Sequence, residues 1–140
     1  MLKVTCAIII RQNKILLTQR GNHPEHPFQW EFPGGKIKPG ESEEQSLIRE
    51  IYEELAIDIK ILEKMHPVIF DYGFKKIELI PFISCMNKGT IDLKEHNDFR
   101  WLKISELPEM ELSEADRRLV VNSENRKLFE KYTGEKMNNP

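Results

Sequence analysis

At 140 residues the chain has room for one compact domain and little more. With 39% hydrophobic and 31% charged residues it reads as a globular chain that can bury a core, which excludes a disordered polypeptide. A net charge of -2 with no basic stripe argues against broad nucleic-acid binding, and no apolar run reaches the roughly 20 residues that a membrane span needs.

The chain opens on an apolar run from Val4 to Ile10, which reads as a first strand and not as a signal peptide. Lys14 to Gln19 is a second apolar run, and Arg11-Gln12-Asn13 between the two predicts a tight turn. Gly21 to Pro27 collects Gly, Asn, His and Pro and predicts a loop; Phe28 to Phe32 is a short strand candidate that Pro33-Gly34-Gly35 should stop. Ser42 with Gln45 forms a capping-box pattern at a helix start crowded with glutamates, a favourable place for negative charge. Leu47, Ile48, Ile51 and Leu55 give that helix its apolar stripe. Further on, Ile57 to Ile61, Pro67 to Tyr72, Lys76 to Met86 and Asp98 to Leu102 read as strands, with a hairpin turn at residues 71–74 and a turn at Ile104 to Leu107. Ser113 opens one last helix with Leu119, Val120, Leu128 and Phe129 on its buried side. This order predicts an α+β fold, a mixed sheet with helices packed on its faces. The expected domain is residues 1–132, with 133–140 a flexible polar tail. Cys6 and Cys85 lie in apolar runs without zinc spacing, which fits buried free thiols in a reducing, cytoplasmic setting.

The chemistry concentrates between Gly35 and Ile57. Glu50, Glu53 and Glu54 stand at i, i+3 and i+4, so a helix sets all three carboxylates on one face, where they repel unless something cationic lies among them. An oxygen-only donor set without Cys or His suits Mg²⁺ or Mn²⁺ and not zinc. Mg²⁺ is commonly shared between carboxylates and a substrate's phosphates, which points to a diphosphate-containing ligand. The alternative is a solvated acidic helix face.

The full spacing is more specific. Gly35, five residues, Glu41, seven residues, Arg49-Glu50-Ile51, one residue, Glu53-Glu54, one residue, then Ala56-Ile57 resembles the Nudix box, with Ala56 where the family has Gly. The likeness to MutT-type and CTP-type pyrophosphohydrolases extends over most of the chain, including LLTQR and WEFPGGKIKPGES ahead of the box. That resemblance implies a Nudix fold and a metal-dependent hydrolase that splits a nucleoside triphosphate into monophosphate and pyrophosphate, with attack on the β-phosphorus in MutT-type relatives and a role in clearing damaged nucleotides. It leaves oxidised-guanine and cytidine substrates close together. ADP-ribose or a dinucleoside polyphosphate is the alternative within the class, and a non-catalytic binding module the alternative outside it. The resemblance implies metal binding by Glu50, Glu53, Glu54 and the Gly34 carbonyl, and an orienting ion pair between Arg49 and Glu41. Glu50, Glu53 and a loop acid, Glu95, compete to activate water; His96 beside it has no implied role. Arg20, Glu31, Phe32, Pro33 and Gly34 line the nucleotide. Tyr72 faces either the base or solvent, and Trp30 packs. Asp116 stands where MutT-type enzymes read the base. As an ionised carboxylate it would only accept hydrogen bonds and so favour amino or N–H donors on the base; it could equally serve the start of its helix. Ala56 should cost on the order of 1 kcal/mol if it keeps the left-handed turn of the family's Gly. The expected partner is a small nucleotide, with no nucleic acid and no membrane, and the chain is expected to be a monomer or homodimer.

Overall fold

The computed structural model describes residues 1–137. Eight strands form one mixed sheet, with β1 (Leu2–Arg11) and β7 (Lys76–Lys88) at its centre and parallel to each other. β2 (Lys14–Gln19) pairs antiparallel with β1, and its neighbours are β3 (Trp30–Glu31) and β8 (Asp98–Leu102). β5 (Asp58–Lys64) and β6 (Val68–Asp71) both pair antiparallel with β7. The β1–β2 turn puts Gln12 and Asn13 at φ +50° and +62°, the two left-handed residues that a tight hairpin matched to strand twist demands.

Period-two alternation in β1 explains why its apolar run is unbroken. Cys6 and Ile8 face one side of the sheet, Ala7 and Ile9 the other, and both sides are covered. Ala7, Ile9, Leu16, Ile80 and Phe82 pack under Leu47, Ile51 and Leu55 of α1 (Glu43–Leu55). On the opposite face Cys6, Ile8, Ile15 and Leu17 meet Leu119 and Val120 of α2 (Glu114–Val121) and Phe129 of α3 (Ser123–Thr133). The expected α+β architecture, a mixed sheet between helices, is what forms.

Four details differ from the sequence reading. Pro33-Gly34-Gly35 does not simply stop a strand, because Gly34–Lys36 is a strand of its own, β4, paired with Val4 to Cys6. The last helix is two helices: Asn122 takes an extended conformation, and its side-chain oxygen accepts from the Glu124 and Asn125 N–H groups, both 3.1 Å, to cap α3. The break serves Asn125, which is buried and hydrogen-bonded to both backbone groups of His66. The expected tail is tied down at its start. Thr133 is a buried residue of α3, and the Met137 N–H donates to Glu130; residues 138–140 lie outside the described residues. Finally, Ile48 is exposed and Cys85 only half-buried, while Cys6 is buried as expected; both thiols are free.

Candidate active site

The capping box forms at Ser42 and Gln45 and fixes where α1 starts. Seven residues past that cap, Arg49 turns back toward the loop. Its Nε and Nη2 grip both oxygens of Glu41 at 2.6 and 2.9 Å, and Nη2 also donates to the Lys36 carbonyl at 3.2 Å. Nη1 donates to Glu50 at 2.9 Å and to Glu53 at 3.2 Å. One guanidinium therefore ties helix, loop and two of the three expected carboxylates together. The hydrogen bonds from Arg49, with one from the Lys38 N–H, hold Glu41 down at about 2.

The three glutamates are not equivalent. Glu53 is half-exposed, with its side chain 52% accessible, whereas Glu50 and Glu54 are 16% and 11%. Among the described residues no three acidic, His or Cys side chains converge as they stand into a metal-holding group, since Arg49 draws Glu50 and Glu53 aside. Glu54 faces inward instead. Burial first, then the charges of Glu50 and Glu31, push its carboxyl well above the ordinary carboxylate range, and its Oε2 is buried without a hydrogen-bond partner. An all-oxygen set with an orphaned carboxylate oxygen and mutual repulsion fits a hard divalent cation. Gly35 completes the cradle: a Cβ there would touch the Glu50 carboxyl group, with the Oε2 only 2.5 Å away.

A cavity of about 390 Å³, a size suited to a small molecule, meets this cluster at Glu54 and Gly35. Gly34, Glu54, Glu95 and His96 line one end; Arg20, Glu31, Phe32, Tyr72 and Asp116 line the rest. Arg20 Nη1 pairs with Glu31 at 3.1 Å while its Nε is buried without a partner. Tyr72 is not a solvent-facing hairpin tip. Its ring lies 4.9 Å from that of His26 and 4.7 Å from that of Phe70, and its hydroxyl accepts from the Ala115 N–H at 3.1 Å. Trp30 packs: it is 8% exposed, and the Arg100 guanidinium sits 5.2 Å above its ring. Pro33 is buried, and its carbonyl accepts from the Ala7 N–H at 2.8 Å.

Asp116 corrects the premise of the sequence argument. It is 4% exposed, and burial, reinforced by the charge of Glu31, pushes its carboxyl up to about 8 despite the bond from Ser113 Oγ at 2.9 Å. Burial thus favours its protonated form, which offers a donor as well as an acceptor. It also serves the start of its helix, where its N–H donates to the capping Ser113 Oγ and its carboxyl accepts from that hydroxyl.

The sequence reading gave His96 no role and did not single out Glu25. His96 is packed between Glu31 and Glu54, and Glu25 reaches across the cavity mouth to Lys75 at 2.9 Å. No spacing rule finds either, since both depend on loops folding over one another. The only hint was that titratable residues stood in loops flanking the box.

A family model described as NUDIX domain matches residues 1–122. The CTP pyrophosphohydrolase of Escherichia coli (strain K12) is 35% identical over 116 residues, covering 83% of this chain and 86% of that protein. The 8-oxo-dGTP diphosphatase of Buchnera aphidicola subsp. Schizaphis graminum is 36% identical over 104 residues, 74% of this chain and 78% of its own. The solution structure of the E. coli ORF135 protein superposes with a TM-score of 0.75 at 34% identity, covering 86% of each chain. The crystal structure of MutT protein from Methanosarcina mazei Go1 reaches 0.79 over 96% of each chain at 24% identity, a likeness of fold. With its box, its sheet and these relatives in agreement, the chain belongs to the Nudix family of hydrolases.

Proposed function

We propose that this Nudix hydrolase converts a nucleoside triphosphate of cytidine or oxidised-guanine type and water into the monophosphate and pyrophosphate. The observation that carries this reading is one cavity lined both by Glu54 and Glu95, carboxylates suited to metal and phosphate, and by a buried, protonatable Asp116 suited to a base edge. The names of the relatives, CTP pyrophosphohydrolase and 8-oxo-dGTP diphosphatase, support the same pair of substrates. No helix among the described residues is long and apolar enough to cross a membrane.

Nudix hydrolases need a divalent metal. Here Glu50, Glu53 and Glu54, with the Gly34 carbonyl, would hold Mg²⁺ or Mn²⁺. When bound, such a cation neutralises phosphate charge and makes water more acidic. Arg49, anchored on Glu41, holds Glu50 and Glu53 side by side on the same guanidinium nitrogen. Arg20 presents its unpartnered Nε to the nucleotide, and Tyr72 forms the wall against which a base can lie. Glu31, Phe32 and Pro33 supply the strand beside it. Glu50 and Glu53 are both engaged by Arg49, whereas Glu95 lines the cavity outside that network, so we assign the attacking water's proton to Glu95.

Turnover of normal, oxidised and methylated nucleoside triphosphates, ADP-ribose and a dinucleoside polyphosphate, each with Mg²⁺, tests the reading. Fastest release of pyrophosphate from a cytidine or oxidised-guanine triphosphate is expected, and Glu53→Gln should lower that turnover by orders of magnitude while the protein stays folded. Fastest turnover on ADP-ribose would overturn the substrate class.

A further inference from the structure

The loop that carries Glu95 and His96 is fixed at both ends. The Lys94 N–H donates to the Glu54 carbonyl at 3.0 Å, at the end of α1. On the other side the Asn97 N–H donates to the Gln19 carbonyl at 2.9 Å, and the Asn97 amide to the Gln19 side chain at 2.8 Å. His96 is thereby set between α1 and β3, with its side chain 7% exposed. Its Nε2 lies 3.1 Å from Glu31 Oε2 and 4.0 Å from Glu54 Oε2. The other oxygen of Glu31 takes the hydrogen bond from Arg20. Arg20, Glu31, His96 and Glu54 thus form one line along the cavity, from the wall that holds Asp116 to the acidic helix.

Packing alone does not favour an imidazole in this place. Its Nδ1 is buried without a hydrogen-bond partner, and a polar atom left so costs stability. What the ring does provide is a separator with a donor. The charge of Glu31 adds to the cost of ionising Glu54, and the ring lies between the two with Nε2 turned to Glu31.

We propose that His96 is a positioning residue, one that holds Glu31 under Arg20 and keeps Glu54 in place for metal binding. Nucleotide binding and metal binding then depend on the same side chain. This rests on the proposed metal role of Glu50, Glu53 and Glu54. Without the ring, Glu31 Oε2 loses its donor, and the two carboxyl groups are free to swing apart. Hydrogen-bonded neighbours that orient a metal ligand are worth about 10- to 100-fold in metal affinity or activity, and His96, which stands 4.0 Å from Glu54 without a hydrogen bond to it, belongs at the lower end of that range.

The test is Mn²⁺ binding to substrate-free protein, read from the electron paramagnetic resonance of free Mn²⁺, together with kcat and KM on the preferred triphosphate. Wild type, Glu53→Gln, His96→Ala and His96→Gln are compared. His96→Ala should weaken Mn²⁺ binding at least about tenfold and raise KM, on the scale expected for ligand-orienting neighbours. His96→Gln, whose amide can reach Glu31 in place of Nε2, should recover most of both. Wild-type Mn²⁺ affinity and KM in His96→Ala would overturn the inference, as would a folded His96→Gln protein with no Mn²⁺ affinity of its own. Should His96→Ala fail to fold, the glutamine variant decides alone. If wild type binds Mn²⁺ no better than Glu53→Gln, the metal site itself is misplaced and the inference falls with it, a result distinct from an unaffected His96→Ala.

Discussion

Replacing Gly35 with alanine presses directly on Glu50. A methyl group built on Gly35 would touch the Glu50 carboxyl group, its two oxygens lying 2.5 and 2.7 Å away. Ordinary contact begins near 3.4 Å, so the carboxyl must retreat by about 1 Å, a displacement that can cost on the order of 10²-fold in rate when it misplaces a reacting or ligating group. Retreat is opposed by Arg49, which holds Glu50 at 2.9 Å and is itself held by Glu41. The expected outcome for Gly35→Ala is a kcat reduced about 10²-fold with a melting temperature within a few degrees of wild type, because the obstacle is the movable end of a side chain. Gly34 provides the contrast. A Cβ there would run into the Thr5 carbonyl and lie 2.7 Å from Cys6 Cα, both backbone atoms of β1 that cannot step aside. Gly34→Ala should therefore cost stability, about 1–3 kcal/mol or more as overpacking does. Thermal melts and steady-state kinetics with saturating divalent metal separate the two. A Gly35→Ala protein with wild-type kcat, or one as unstable as Gly34→Ala, would refute the placement of Glu50 against β4.

Ala56 sits at φ +58°, ψ +29°, a left-handed cap that an alanine occupies at a cost of about 1 kcal/mol, so Ala56→Gly should raise the melting temperature by a few degrees and leave kcat unchanged; a lower melting temperature would refute the strain. Asp116 titrates near 8 in the folded chain against an ordinary 3.8, so below 3.8 it is protonated in both states. Between these values the folded state keeps a proton that the unfolded state gives up, and stability falls as pH rises through that window. The advantage of Asp116→Asn over wild type in urea melts should accordingly grow from pH 4 to pH 8; a flat difference would mean that Asp116 is ionised throughout. Glu25→Gln removes a solvent-screened clasp to Lys75 and should leave stability nearly unchanged, yet it should raise KM about two- to fivefold by loosening a loop that lines the cavity. An unchanged KM would separate that loop from substrate entry.

The spacing of the box made much of this site legible, because helix periodicity and capping are local. Ser42, Gln45 and the apolar Leu47, Ile51 and Leu55 act within a few residues of one another, and their geometry follows from 3.6 residues per turn. What spacing could not show is where a long side chain turns. Arg49 takes Glu50 and Glu53 as well as Glu41 because β4 brings the loop beneath the helix, and Gly34-Gly35 reads as a chain break until a partner strand is known. The upward push on the Asp116 carboxyl comes from its burial on the inner side of α2 and from the charge of Glu31, which no one-dimensional pattern carries. Nor does sequence show that residues 94–97 are stitched to Gln19 and Glu54, which is what sets His96 in place.

The parallel pairing at the centre of the sheet sets an order on assembly. β1 has local partners in β2 and β4, but its longest pairing is with the distant β7, where Leu2 lies beside Ile77 and Ile9 beside Ser84, so that side of β1 stays open until β7 has been made. Contacts that distant close slowly, and until they do β1 offers an open edge to other chains. β4, Gly35 and the acidic helix all rest on β1. The active site is therefore among the last parts of the molecule to take shape, and a protein slowed in forming the β1–β7 pair would lose activity first through aggregation during synthesis, before any change in its folded state.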